Sequence, residues 1–397
     1  MSRETPKNPG RPYFNLLLLA GSVIVSLVIG EIFLRVLGHT SQAPQPFTDY
    51  LPRPWGAVMA RHVAPGMINS HQAFDVEHSL AKPRQVFRVA LLGDSFLGLP
   101  SLPHTRQTPQ RLEEELSRHP PRDLTFEVLN FSVSSAGTAN EYLRYLDDAS
   151  RFAPDLVVVF FTVGNDARNN SVRLQPLMEA NPFPLPGFVL EKDGSLKRQD
   201  IPPAVGSYSY YPAAWQRWLA AHWALYSVCS RTWQKMQGAQ SVLPEKEKWR
   251  VTAAYLTETG PYSNDVLVSW EVTEALMGAL RDQAAKDGAR LAVVLIPTAW
   301  DIQPEWKHWL QKNLGRGSEF QQLNYDLPYQ EAQRRFARQG LPVLDLRPAL
   351  RAALLPGRPL YDDTGHWGAA GHEVAARETA RFLQEQQLVP PPKNLEP

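Results

Sequence analysis

Apolar residues fall along this chain in three different rhythms. The first is a run. Residues 14–30 are almost uninterruptedly apolar, and after Glu31 the run resumes through Leu37, broken only by Arg35. A bilayer core is crossed by about 20 residues of helix, so residues 14–37 are expected to form one transmembrane anchor with Glu31 and Arg35 at the interface. Cleavage as a secretory signal is the alternative. The small-residue site available for it, Ser41-Gln42-Ala43, is followed directly by Pro44, which argues for an uncleaved anchor. Residues 1–13 carry Arg3, Lys7 and Arg11 against Glu4. Basic flanks stay cytoplasmic, which directs the rest of the chain outside the inner membrane.

The second rhythm alternates short apolar, β-branched runs with amphipathic stretches. Residues 85–92, 125–131, 154–163, 290–296 and 342–346 read as strands. Residues 108–118, 138–149, 264–286, 327–338 and 369–386 read as helices. The run at 154–163 is apolar on both faces, as in a central parallel strand. Strands alternating with helices predict an α/β fold, a three-layer parallel sheet covered on both sides. Between residues 167 and 264 this pattern stops, and no strand of that kind is expected. A third rhythm replaces it, a helical stripe through Trp215, Trp218, Leu219, His222, Trp223, Tyr226, Cys229 and Trp233, read as the inner face of a cap helix. The expected organisation is a cytoplasmic tail (1–13), the anchor (14–37), a peripheral linker (38–83), a domain (84–390) with an aromatic-rich insert (167–264), and a short tail (391–397).

Composition narrows the partners. The formal net charge is +1 over 397 residues, with signs interspersed, which gives no basic patch for nucleic acid. One cysteine, Cys229, leaves no intramolecular disulfide and no cysteine metal cluster. With no glycine-rich phosphate loop and no metal-ligand spacing, neither cofactor nor metal is expected.

Two distant stretches carry the candidate chemistry. Residues 91–95 place Ser95 at the end of an apolar strand. Residues 360–367, Leu-Tyr-Asp-Asp-Thr-Gly-His-Trp, place Asp363 three residues before His366. Acyl chemistry on a serine needs a base for its proton and a carboxylate that holds the base in the right tautomer. Asp362 fits that spacing less well, and His372, inside the closing helix, reads as structural. Four blocks stand in order: Gly93-Asp94-Ser95-Phe96, Asn130 to Thr138, Gly164-Asn165-Asp166, and Asp363-Thr364-Gly365-His366. Together they resemble the SGNH (GDSL-type) hydrolase family over residues 84–383. The resemblance implies a flavodoxin-like sheet, Ser95 as nucleophile, His366 as base and Asp363 as its acid. It also implies an oxyanion hole from the Ser95 N–H, the Asn165 side chain and a third backbone N–H. The family's glycine falls here on Ser135, with Gly137 two residues later. Gly137 is preferred for the third donor, with Ser135 as the alternative.

The expected function is a membrane-anchored serine esterase or O-acyltransferase acting on short acyl, especially acetyl, esters of an exported polysaccharide. A lipase or thioesterase of the same fold, and a catalytically idle polysaccharide-binding protein, are the rivals.

Overall fold

In the computed structural model, the structure describes residues 11–37, 68–71, 73–98, 102–121, 123–134, 136–178, 185–201, 223–226, 228–229, 245–314 and 323–391. The chain forms two compact units: residues 1–50 with 204–242, and residues 51–203 with 243–397.

In the first unit, Arg11–Val36 is one helix. Its segment Leu18–Val36 is long and apolar enough to cross a membrane, with a mean hydropathy of 2.0. Ser22 and Ser26 donate their hydroxyls back to the Leu19 and Ser22 carbonyls, 2.8 Å each, so the polar atoms within the run find partners inside the helix. Near its end, Glu31 pairs with Arg35 at 2.7 Å and accepts the N–H groups of Ala224 and Leu225 at 3.0 and 2.9 Å. Of the aromatic stripe, only Trp223, Tyr226 and Cys229 fall among the described residues. Trp215, Trp218, Leu219, His222 and Trp233 lie outside them.

The second unit holds the parallel sheet. Its strands are β1 (Val86–Gly93), β2 (Thr125–Asn130), β3 (Leu156–Thr162), β6 (Arg290–Ile296) and β7 (Val343–Asp345), in the order β2-β1-β3-β6-β7. All pairings are parallel. Alternate residues of the inner strands face opposite layers. Val89, Leu91, Val158, Phe160, Val294 and Ile296 face one core, which the helices Thr108–Leu116, Arg347–Ala352 and Ala369–Glu385 cover. Ala90, Leu92, Val157, Val159, Phe161, Val293 and Leu295 face the other, beneath helices Thr138–Asp147, Ser263–Lys286 and Leu327–Arg338. Both faces of β3 are fully buried, which is why its sequence shows no alternation.

Among the described residues the stretch after β3 adds no strand to the parallel sheet, but it holds a short pair of another kind, an antiparallel hairpin of β4 (Phe188–Leu190) and β5 (Leu196–Arg198). It turns at Asp193-Gly194, where Gly194 has φ +83°. Three residues a side are too few to produce a readable alternation, and the Asp-Gly pair was its one signal.

This strand order reverses direction between β1 and β3. In an open parallel sheet that switch leaves a crevice beyond the carboxyl ends of the two strands. Ser95 follows β1 and Asn165 follows β3, so the topology alone brings these two blocks side by side.

Candidate active site

β1 ends at Gly93, where a Cβ would stand 3.1 Å from the Phe160 carbonyl of the neighbouring strand. A glycine there lets the two strand ends approach closely. The chain then turns at once: Asp94 accepts the Phe96 N–H on its side chain (3.0 Å) and the Leu97 N–H on its carbonyl (3.2 Å). The turn leaves Ser95 half-buried at the strand end. The other Asp94 oxygen accepts the Asn165 amide, 2.9 Å, clamping the blocks after β1 and β3 together.

Residues 361–367 form a turn held from within. Tyr361 and Trp367 face each other across it as an isolated bridge, and the Asp362 N–H donates to the His366 carbonyl at 2.8 Å. Asp362 Oδ1 collects the N–H groups of Thr364 (2.9 Å) and His366 (3.1 Å) and the Thr364 hydroxyl (2.6 Å). Gly365 has φ +83°, a left-handed conformation natural only to glycine. Outside the turn, the Tyr361 hydroxyl donates to the Pro297 carbonyl at the end of β6, 2.9 Å, and the Phe96 ring packs 5.2 Å from the His366 ring.

These supports put Ser95 Oγ 2.8 Å from His366 Nε2. On the far side of the ring, Nδ1 lies 2.8 Å from Thr364 Oγ1. An ionised carboxylate only accepts, so the Thr364 hydroxyl donates to Asp362. It then accepts from Nδ1–H, and Nε2 is left with a lone pair facing the Ser95 hydroxyl. This is the tautomer that a general base for Ser95 requires.

The acid behind the imidazole differs from the expected one. Asp363 is exposed and, among the described residues, makes no hydrogen bond to His366. Asp362, at i−4, reaches the ring through Thr364. The reason is local: Asp-X-Thr with a following glycine is an Asx-turn sequence, which draws the first aspartate inward and leaves the second outside.

The oxyanion donors divide as well. The Ser95 N–H meets no acceptor among the described residues. The Asn165 amide has two N–H groups and spends one on Asp94. Gly137 is otherwise engaged: its N–H donates to Asn140 Oδ1 at 3.3 Å while the Asn140 N–H returns to the Gly137 carbonyl at 2.8 Å. That reciprocal cap starts the helix Thr138–Asp147. A Cβ on Gly137 would stand 2.8 Å from Asn169 Cβ, so this glycine serves close packing. Ser135 lies outside the described residues. Asn130, opening the same block, is buried and donates to the Phe74 and Leu97 carbonyls at 2.9 and 3.2 Å, tying loops together below the site.

Behind Ser95 sit three fully buried carboxyl groups, Asp94, Glu141 and Asp166. Burial raises the pKa of each, and mutual repulsion raises Glu141 and Asp166 further. Among the described residues, neither oxygen of Glu141 has a hydrogen-bond partner. No sequence pattern announced this group, because helix and strand ends far apart in the chain assemble it. His372 is buried. Its Nδ1 accepts the Thr108 N–H (3.1 Å) and lies 2.8 Å from the Thr108 hydroxyl. Desolvation pushes its pKa down to about 4, so it is a neutral tie between two helices, as its place in the closing helix suggested.

Beside the end of β3, a cleft of about 310 Å³ is lined by Val163, Gly164, Tyr255, Thr298, Trp300 and Tyr329, among others. It adjoins Asn165 through Gly164. Among the described residues no group of histidine, cysteine and carboxylate side chains has metal-binding geometry.

A serine and an imidazole meet beyond two adjacent parallel strands, with the imidazole on a closing turn, an arrangement that a serine nucleophile and its base would need. Residues 264–396 match the family model described as "SGNH hydrolase-like domain, acetyltransferase AlgX". That stretch is similar to an SGNH hydrolase-like domain. The matched stretch includes His366, β6, β7 and the closing helix, while Ser95 and Asn165 precede it. No curated protein matches the sequence. Solved structures similar to it include the acetyl xylan esterase AlAXEase (13% identity, 76% of this chain and 99% of that chain, TM-score 0.37). A protein assigned to the lipolytic G-D-S-L family from Desulfitobacterium hafniense DCB-2 is also similar (12%, 75% and 99%, TM-score 0.36). So is a catalytic mutant of Axe2, an acetylxylan esterase from Geobacillus stearothermophilus (13%, 75% and 94%, TM-score 0.37). At such identities and TM-scores these likenesses say nothing of the substrate.

Proposed function

We propose that this SGNH domain is a serine esterase or O-acyltransferase that removes or transfers short acyl groups, above all acetyl groups, on an exported polysaccharide. The carrying observation is the 2.8 Å contact between Ser95 Oγ and His366 Nε2, with the tautomer fixed from the opposite ring nitrogen. His366 takes the hydroxyl proton as Ser95 Oγ attacks the ester carbonyl. The carbonyl oxygen becomes an oxyanion held by the Ser95 N–H and the second N–H of the Asn165 amide. Collapse expels the alcohol, which takes the proton from His366, and leaves an acyl-serine. Water or a sugar hydroxyl, deprotonated by the same histidine, then attacks that ester and frees Ser95.

The word acetyltransferase in the matched family description supports acetyl as the acyl group. The apolar helix Leu18–Val36, with its basic flank, supports a single-pass anchor that presents the domain outside the inner membrane. No cofactor or nucleic acid enters this scheme.

Hydrolysis of nitrophenyl esters by the full-length chain in detergent tests the acyl preference. kcat/KM is expected to fall steeply from acetate to octanoate. A series rising with chain length would replace this reading with a lipase or thioesterase.

A further inference from the structure

Three tryptophans stand in a row beside the catalytic turn. The benzo edge of Trp306 lies 3.6–3.9 Å from the position a Cβ on Gly365 would fill, next to His366. The Trp309 ring follows at 5.5 Å from Trp306, and the Trp249 ring at 5.2 Å from Trp309, each pair edge to face. Two elements supply them: Trp306 and Trp309 from the helix Pro304–Leu314, Trp249 from Glu245–Ala254. The row therefore begins at the catalytic turn and leads away from it across the joint between these helices.

Core packing does not account for the whole row. On the helix Pro304–Leu314 that task falls to Leu310 and Leu314, which meet Ala253 and Leu256 in a small core of their own. Trp306 and Trp249 are partly buried against neighbouring cores, but Trp309 is 42% exposed. The two residues before it on the helix, Lys307 and His308, are also exposed. A helix that required only solubility at position 309 would carry a polar residue there. A single exposed aromatic is ordinary, whereas an exposed one that two partly exposed rings continue to the edge of the Ser95–His366 site marks a binding surface.

We propose that Trp306, Trp309 and Trp249 form a saccharide subsite, which holds pyranose rings of the glycan next to the acylated unit. The proposal rests on the polysaccharide reading above and deepens it. An indole face carries negative quadrupolar charge, and the axial C–H bonds of a pyranose present a flat, weakly positive face to it. Hydroxyls at the ring's rim then remain free for water and for nearby polar side chains such as Lys307. An acyl tail has no flat face to match, and a greasy tunnel rather than a partly exposed row of rings would suit it. The subsite holds the chain through sugar rings while the ester lies at Ser95, so binding energy remote from the carbonyl positions the reacting group.

Calorimetry of cellohexaose and of a galacturonate hexamer, with the full-length Ser95→Ala protein in detergent, reads the subsite without turnover. At least one hexasaccharide is expected to bind. Trp309→Ala in that background should weaken Kd roughly tenfold, about the value of one aromatic face, and Trp309→Tyr, which keeps a flat ring, should retain most of the affinity. Binding of neither hexasaccharide, or unchanged affinity in Trp309→Ala, overturns the subsite. The ester series reports on the enzyme separately: a preference for octanoate with intact saccharide binding would fail the acetyl reading and leave the subsite, and a preference for acetate without saccharide binding would do the reverse.

Discussion

At the scale of single residues, the site depends on which carboxylate stands behind His366. The sequence offers two adjacent aspartates, and spacing favours Asp363. The turn favours Asp362, because three donors converge on its Oδ1 and one of them, the Thr364 hydroxyl, also meets His366 Nδ1. Asp362→Asn keeps an oxygen acceptor and removes the charge that stabilises the imidazolium. A direct triad aspartate is worth up to about 10⁴ in kcat; through a hydroxyl the loss should be smaller but still exceed that of Asp363→Asn. Steady-state kinetics of the two variants on nitrophenyl acetate decide this. A larger loss at Asp363 would show that the turn reorganises around substrate. That Ser95 and His366 come together was legible from the four ordered blocks. The acid was ambiguous because its choice depends on side-chain rotation within an Asx turn, which spacing does not encode. Gly137 misled for a related reason. A glycine three residues before Asn140 reads equally as an oxyanion donor and as a helix cap, and here it is the cap.

At the scale of elements, the parallel sheet was readable because buried strands must be apolar on both faces, and β3 is buried throughout. The switch between β1 and β3 then fixed the place of Ser95 and Asn165. The β4–β5 hairpin escaped because it is short and only half buried, so no core enforces a pattern. The Asp362–His366 turn is the element with the most at stake. Gly365 holds φ +83°, and an added Cβ would meet Trp306 at 3.6 Å. That distance is ordinary contact, so backbone strain is the main cost of Gly365→Ala, about 1–2 kcal/mol. The variant is expected to melt earlier and to lose kcat with little change in KM, since His366 would shift while the cleft by Gly164 stays intact. A variant with full kcat would mean that the turn need not be rigid. The Trp249–Trp309–Trp306 row arises from the meeting of two helices, and the sequence gives no cue that residues so far apart adjoin.

At the scale of the whole molecule, the carboxyl trio beneath Ser95 couples stability to pH. Asp94, Glu141 and Asp166 have folded-state pKa values above their ordinary ones, so over that window the folded state binds more protons than the unfolded chain. Stability is therefore present below the ordinary carboxylate range and is lost as pH rises towards the folded-state values. Glu141→Gln removes the member that has no hydrogen-bond partner among the described residues. Denaturant unfolding is expected to show this variant gaining on the wild type as pH is raised from about 5 to about 8, with a limiting slope of about 1.4 kcal/mol per pH unit. Parallel curves would mean that Glu141 ionises freely in the folded state.

The account as a whole stands on an activated Ser95 at the switch point of the sheet. Labelling of the full-length chain with a fluorophosphonate, read by intact mass and by peptide mapping, tests this most directly. An ordinary serine hydroxyl does not react, while one whose proton passes to an adjacent imidazole does. One adduct, on Ser95, is predicted for the wild type, with none on Ser95→Ala and a much slower reaction on His366→Ala. A folded wild-type protein that takes no label, or takes it on a serine other than Ser95, would contradict the assignment.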